Sequence, residues 1–347
     1  MKSGKTRVLI VDDSAFSRQT LRKLLSERDD VEVVAVAFDG ADAIVKTLKY
    51  KPDIITLDLI MPNFDGFSFL RWLSAQKPTP VIVVSSLSDD RTVFQALEMG
   101  AMDFVAKPTT RASIKLQEIK DDLFKKIDSI KKASTVKLRK NLYDLSAQIP
   151  VKKIVFRRKN FDVLAIGAST GGPQAIQYIL KSLPETFDIP VLITQHMPPG
   201  FTRAFAERIN NITPFTVKEA EDGERLNPAT VYICPGQKHL TVKRVGGNIN
   251  IQLLKPTHDD RYVPSVDRMF ESVAQIYKNR AIGVILTGMG NDGLQGCKKM
   301  HESGGYIIAE SEESAVVYGM PREVIEAGLA NVSVKLKDIP DKILSLF

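Results

Sequence analysis

Cysteine is nearly absent from this chain. Cys234 and Cys297 are the only two, far apart and outside any CxxC spacing, which argues against a structural disulfide or a zinc cluster and leaves both as small core or loop residues. Long apolar runs are missing as well. None reaches the roughly 18 residues that span a bilayer, so no membrane insertion is expected. The basic start from Lys2 to Arg7 leads into Val8-Leu-Ile-Val-Asp12, too short and too acidic at its end for a secretory signal. A cytoplasmic location is therefore expected. Histidine is also scarce, with four in the chain, so any use of an imidazole has few candidates.

The length, 347 residues, exceeds one ordinary compact core of ~100 to 150 residues, and two domains are expected. With 44% hydrophobic and 26% charged residues, the composition is that of a soluble globular protein. The net charge of +7 would suggest nucleic acid if it lay along a binding face, but it does not. Between Lys125 and Lys159 stand twelve Lys/Arg against Asp128 and Asp144, a local +10, so the rest of the chain carries −3. That segment starts as the tail of a helix and loses periodicity before Pro150, as a linker does. It reads as a solvated tether or as an electrostatic contact for an acidic partner. No helix-turn-helix pattern follows the first half, and nucleic acid is not expected as a partner.

Residues 7 to 124 contain five short apolar runs, RVLIVD, VEVVAVA, DIITLD, PVIVVSS and DFVAK, alternating with amphipathic segments. This is the pattern of a (βα)5 unit around a parallel, flavodoxin-like sheet. Ser14 suits a helix cap before Ala15, and Asp89 and Asp90 open a later helix. Functional residues in such a sheet lie beyond the carboxyl ends of the strands. Asp12 and Asp13 end the first run, Asp58 the third, Ser85 and Ser86 the fourth and Lys107 the fifth. Carboxylates this close repel one another unless a cation sits among them, and their hard oxygens suit Mg²⁺.

VDDS, TLDLIMPNFDG, VSS and AKP make this half resemble the response-regulator receiver family. The resemblance implies that Asp58 accepts a phosphoryl group and that Asp12, Asp13 and Asp58 hold Mg²⁺ with the backbone carbonyl of Ile60. It implies that Lys107 neutralises the acyl phosphate, that Ser85 rather than Ser86 is the switch hydroxyl, and that Phe104 is the aromatic that rotates. Phe104 reads equally well as plain core. The resemblance also raises a cis Lys107–Pro108 bond, for which sequence alone gives a low prior.

From Phe161 onward the strand-then-helix logic repeats with different chemistry, as a doubly wound, mainly parallel α/β hydrolytic domain. VLAIG leads to ASTGG, IPVLIT to QHMPPGF, and AIGVILTG to MGNDGLQG. If these strands are parallel neighbours, Ser169, His196 and Asp292 emerge at one sheet edge. Ser169 can be a nucleophile, a phosphate ligand or a turn residue. Neither GxGxxG nor GxxxxGK[ST] is present at this turn, which weakens the phosphate reading, whereas Gly167-Ala-Ser-Thr-Gly171 satisfies GxSxG. His196 alone of the histidines directly follows a buried-strand pattern; His239, His258 and His301 lie in polar or helical contexts. Asp292 reads as the third member of a triad or as an Asx turn or helix cap before Leu294.

IGASTGGP, TQHMPPGFT, KEAEDGE, PSVDRMF, LTGMGNDG and GMPRE resemble, in order, the catalytic domain of the chemotaxis response-regulator protein-glutamate methylesterases. The resemblance implies a phosphorylation-activated hydrolase that removes γ-methyl esters from glutamates on the cytoplasmic domains of chemoreceptors, releasing methanol, and that also deamidates receptor glutamines. Ser169 would attack, His196 act as base and Asp292 orient it, with no cofactor for the hydrolysis. Backbone N–H groups near Met289 would hold the oxyanion, and Thr170 would either hydrogen-bond the histidine or cap the helix. A chemotaxis histidine kinase is the implied phosphodonor. The expected division is a receiver over 1–125, a basic linker over 126–158 and a catalytic domain over 159–347.

Overall fold

The computed structural model describes residues 4–85, 90–107, 113–132 and 161–347. The chain divides into two compact units, Met1–Leu142 and Tyr143–Phe347. Asp89, Ser86 and the Lys107–Pro108 bond, like most of the expected linker, lie outside the described residues.

In the first unit, strands β1 (Thr6–Val11), β2 (Val31–Ala37), β3 (Ile54–Leu57), β4 (Val81–Ser85) and β5 (Asp103–Ala106) alternate with helices α1 (Ala15–Ser26), α2 (Gly40–Tyr50), α3 (Gly66–Gln76), α4 (Asp90–Glu98) and α5 (Ser113–Lys132). The sheet order is β2-β1-β3-β4-β5, parallel throughout. Each of the first three helices starts where a side chain takes up an orphan backbone N–H: Ser14 receives Ser17, Asp39 receives Asp42 and Asp65 receives Ser68. Such caps are worth about 1 kcal/mol each.

The last helix runs past residue 125, as the helix tail with which the basic segment was expected to begin. It continues to Lys132 because Leu123, Ile127 and Ile130 keep an apolar stripe buried. Lys126, placed in the linker by its charge, is 8% exposed. It ion-pairs with Asp103 at 3.3 Å and Asp122 at 3.0 Å, and its Nζ lies 5.0 Å from the centroid of the Phe104 ring.

The second unit contains β6 (Val163–Ala168), α6 (Gly172–Ser182), β7 (Val191–Gln195), α7 (Phe201–Asn210), β8 (Thr216–Glu219), β9 (Thr230–Ile233), β10 (His239–Val245) and β11 (Asn248–Leu254). It continues with α8 (Val266–Tyr277), β12 (Ala281–Ile285), α9 (Leu294–Glu302), β13 (Tyr306–Glu310), α10 (Met320–Glu326), β14 (Val332–Val334) and α11 (Ile339–Leu344). Seven strands form one sheet in the order β14-β13-β12-β6-β7-β9-β8, with every pairing parallel. β10 and β11 form a separate antiparallel hairpin. The chain leaves β6 toward β7 and later returns to β12 on the other side, so β6 is the switch point where such sheets place their sites.

β6 is buried along its whole length. Helix α8 packs on this sheet through Val266, Met269, Phe270, Val273 and Ala274, all buried, at the i, i+3, i+4, i+7 spacing of one helix face. Each large side chain of that face contributes roughly 1.5–3 kcal/mol by leaving water. Cys234 and Cys297 are free and buried, as small core residues are expected to be.

The approach of α8 to β6 depends on Gly167. A Cβ at that position would lie 2.3 Å from Val266 Cγ1 and 3.0 Å from Cγ2, so a side chain there would force helix and strand apart. Gly167→Ala is expected to destabilise the second unit by about 1–3 kcal/mol, the usual cost of overpacking. Urea unfolding measures it; an unchanged midpoint would show that the helix yields freely.

Candidate active site

Ser169 leaves β6 in a turn fixed on both sides. Its N–H donates to Thr287 O at 3.0 Å, and its carbonyl accepts from Gly172 N at 2.7 Å. Gly171, at φ +79°, makes the turn and occupies the N-cap position of α6 without a side-chain cap bond. Thr170 is therefore not the cap. Behind the turn, Thr287 Oγ1 donates to Thr170 O at 2.9 Å and accepts from Val317 N at 2.9 Å. The N–H of Thr287 donates to Glu310 Oε2 at 2.9 Å. A buried carboxylate on β13 thus braces the residue that braces Ser169.

His196 follows β7, whose last residue pairs with Ala168, so Ser169 and His196 leave adjacent strands side by side. The imidazole Nε2 meets Asp292 Oδ2 at 2.7 Å. Asp292 follows β12, on the other flank of β6, and is 1% exposed. It does not cap α9, whose N-cap is Gly293 without a side-chain bond. Its carboxylate instead sits at the N-terminus of α8, accepting from Ser265 Oγ at 3.0 Å, Val266 N at 2.7 Å and Asp267 N at 3.0 Å. Burial by itself raises its pKa, but the hydrogen bond and charge of His196 and the two backbone donors outweigh this and hold the carboxyl below its ordinary value.

The structure thus brings together His196 and Asp292, and places Ser169 and Thr170 on the neighbouring turn. Among the described residues, no hydrogen bond joins Ser169 Oγ or Thr170 Oγ1 to His196. Such contacts are often long in an unliganded site and tighten when substrate binds. With Nε2 turned to Asp292, Nδ1 is the nitrogen left for the serine proton. Met289 stands in the turn after β12, half-buried. The preceding N–H, of Gly288, is already bonded to Val317 O at 3.0 Å.

Two side chains around the candidate triad, Tyr262 and Gln195, escaped the sequence reading, and His239 was read there only as a residue in a polar or helical context. Tyr262 stacks on His196 with ring centroids 5.2 Å apart and planes 7° from parallel. His239, fully buried, accepts Ser265 N at Nδ1, 3.1 Å away, with its Nε2 3.2 Å from Asp260 Oδ2; burial holds its pKa down despite Asp260. Gln195 Nε2 donates to both Ser169 O and His196 O, each at 3.0 Å. The one local signal was the last position of a strand for Gln195; nothing in local sequence marks Tyr262.

In the first unit, Asp12, Asp13 and Asp58 offer carboxylate oxygens that all lie within 4.8 Å of one another. Asp12 and Asp58 are buried and Asp13 is exposed. Lys107 Nζ reaches Asp58 Oδ2 at 2.6 Å and Asp12 Oδ1 at 3.3 Å, while Ile60 N donates to Asp58 Oδ1 at 3.3 Å. Burial pushes Asp58 up to about 6, against the pull of Lys107 and with the added repulsion of Asp12. An all-oxygen cluster left short of positive charge fits a hard divalent cation. Ser85, at the end of β4, is buried, as is Phe104; Lys107 N donates to Ser85 O at 2.6 Å.

Comparison with known proteins agrees with both halves. Residues 164–343 match the CheB methylesterase family model and residues 8–117 the response regulator receiver domain. A protein-glutamate methylesterase/protein-glutamine glutaminase of Geobacter sulfurreducens is 42% identical over 98% of this chain and 97% of its own length. One from Thermotoga maritima is 40% identical over 98% of both chains. The crystal structure of the Thermotoga maritima CheB methylesterase catalytic domain matches at a TM-score of 0.52 and 44% identity, covering 54% of this chain and 99% of that one. The fold and both sheet edges define a receiver-linked α/β hydrolase. The chain belongs to the CheB methylesterase family.

The brace on Ser169 has a pH signature. Glu310 is fully buried and accepts from Thr287 N and from Ser314 Oγ. Burial pushes it from 4.5 up to about 7 despite those donors. Between these values the folded chain holds a proton that the unfolded chain has lost, so stability falls as pH rises through that window. Glu310→Gln does not titrate, so its stability relative to the natural chain is expected to improve between pH 4.5 and 7, by on the order of 3 kcal/mol. Urea melts across that range measure the difference; one independent of pH would show that Glu310 does not titrate there.

Proposed function

We propose that this protein hydrolyses glutamate γ-methyl esters on chemoreceptors, releasing methanol, and deamidates receptor glutamines by the same chemistry. The observation that carries the reading is the His196–Asp292 pair, 2.7 Å apart, beside Ser169 at the switch point of the sheet. The names of relatives such as those from Geobacter sulfurreducens and Thermotoga maritima supply the substrate class. Ser169 Oγ attacks the ester carbonyl while its proton passes to His196 Nδ1. The imidazolium stays paired with Asp292 and then protonates the departing methoxide. Water, activated by the same histidine, cleaves the γ-glutamyl enzyme. General-base assistance of this kind is worth about 10²- to 10⁴-fold. Backbone N–H groups near Met289 receive the oxyanion, and Thr170 helps orient the histidine.

The first unit regulates this activity. Asp58 accepts a phosphoryl group from a chemotaxis histidine kinase, and Lys107 pairs with it. Mg²⁺ held by Asp12, Asp13, Asp58 and the Ile60 carbonyl would neutralise charge on the phosphoryl oxygens. Ser85 and Phe104 then change position and carry the signal to the second unit. Among the described residues no helix is long and apolar enough to cross a membrane; a cytoplasmic place, facing the inner domains of the receptors, suits the substrate.

Ser169→Ala is expected to abolish methanol release from methylated receptor membranes while leaving phosphorylation of Asp58 intact. Near-natural turnover in that variant would remove Ser169 as the nucleophile. Addition of a small-molecule phosphodonor should raise the activity of the natural chain by roughly 5- to 150-fold, the usual range of coupling between two sites. Asp58→Asn should give no response. A response in Asp58→Asn equal to that of the natural chain would place the regulatory phosphate elsewhere.

A further inference from the structure

The backbone ladder between β6 and β7 ends where His196 N donates to Ala168 O at 3.0 Å. The side chain of Gln195 adds one more rung. Its single amide group donates both hydrogens, one to the carbonyl of Ser169 and one to the carbonyl of His196. Gln195 is 2% exposed, so its amide is out of reach of solvent. Its orientation follows from its partners: both are carbonyls, so reversing the amide would set Oε1 against two acceptors. Among the described residues Oε1 has no hydrogen-bond partner, so the arrangement holds at the cost of an unmet acceptor. Space for it exists because residue 172 is glycine, where a Cβ would lie 2.0 Å from Oε1.

We propose that Gln195 is a positioning residue for ester hydrolysis, its one amide holding the backbones of Ser169 and His196 in register across two strands. The proposal rests on the reading of those two residues as nucleophile and base. Ser169 and His196 are carried by different strands, and each leads directly into a turn. A small slip between those turns changes the distance the serine proton must travel. Misplacement by ~1 Å at a reacting centre can cost 10²-fold in rate. Asp292 and Tyr262 hold the imidazole ring, and among the described residues neither is hydrogen-bonded to the serine turn, whereas the Gln195 amide is bonded to the backbone carbonyls of both Ser169 and His196.

The test compares Gln195→Met, which keeps length and bulk without donors, with Gln195→Glu, which keeps shape and replaces the donors by acceptors. Both are made in the full-length chain, with Ser169→Ala alongside. Rates of methanol release are taken per folded protein, and labelling by a serine-directed phosphonate is followed in parallel. A positioning role predicts kcat lower by about ten- to a hundred-fold in the Met variant with KM changed less than about twofold, and slower phosphonate labelling. The Glu variant should be slower still. A purely structural role predicts a lower unfolding midpoint with natural kcat in the folded fraction, and that result overturns the proposal. If Gln195→Met does not fold, Gln195→Asn, whose amide stops one carbon short of both carbonyls, takes its place with the same expected loss. Activity in Ser169→Ala would instead overturn the assignment of the nucleophile, separately from Gln195.

Discussion

A carboxylate removed almost entirely from water must be surrounded by donors or give up its charge. Asp292, at 1% exposure, is supplied by Ser265 Oγ, two backbone N–H groups and His196. Much of the second unit can be traced to that requirement. Two of the donors are the first free N–H groups of α8, which also carry the positive end of the helix dipole. The helix must therefore begin at Ser265, directly over the triad edge, and lie close against β6. Gly167 permits that approach, and His239 holds the Ser265 N–H from behind. The apolar face of α8 makes the same placement favourable for the core, so packing and electrostatics fix the helix in one position.

Much of the architecture was legible because strands and turns have local causes. The five apolar runs of the first half and the three strand-to-turn transitions of the second become β1–β5 and β6, β7 and β12 at nearly the expected residues. Parallel strands then bring their carboxyl ends to one edge, which is why residues far apart in sequence were expected together. Local charge and local capping were the less informative signals. Lys126, Lys131 and Lys132 read as the start of a basic linker, yet the ammonium of Lys126 lies over the Phe104 ring and meets Asp103 and Asp122. A buried ammonium is tolerated where it is paired and faces an aromatic ring. Thr170 and Asp292 resembled caps, but Gly171 at φ +79° and Gly293 at φ +97° occupy those positions.

The partners of the candidate triad were illegible for a different reason. Val266 and Asp267 contribute backbone N–H groups, and no side-chain pattern encodes which helix end will face a distant aspartate. His239 is a donor–acceptor relay whose partners, Asp260 and Ser265, are 21 and 26 residues away. Gln195 carries no chemistry of its own. Its significance appears only when β6 and β7 are side by side and both catalytic candidates are seen to offer it a carbonyl.

Three of the buried carboxylates at these sheet edges show how one kind of fold assigns opposite electrostatic settings to similar groups. Asp292 receives a helix terminus and an imidazole, and is held ionised; its proposed role of stabilising an imidazolium needs that negative charge throughout the reaction. Asp58 has one close lysine, a second buried carboxylate beside it, and an ionisation pushed up to about 6. That deficit of positive charge suits the proposed role of attracting both a cation and a phosphoryl donor. Glu310 has only a backbone N–H and a hydroxyl, and burial leaves it near 7. It can brace Thr287 while either neutral or charged, because an acceptor oxygen remains in both forms. The number and charge of the donors surrounding each carboxylate, more than its depth in the sheet, determine whether it serves as a fixed charge, a reactive oxygen or a brace.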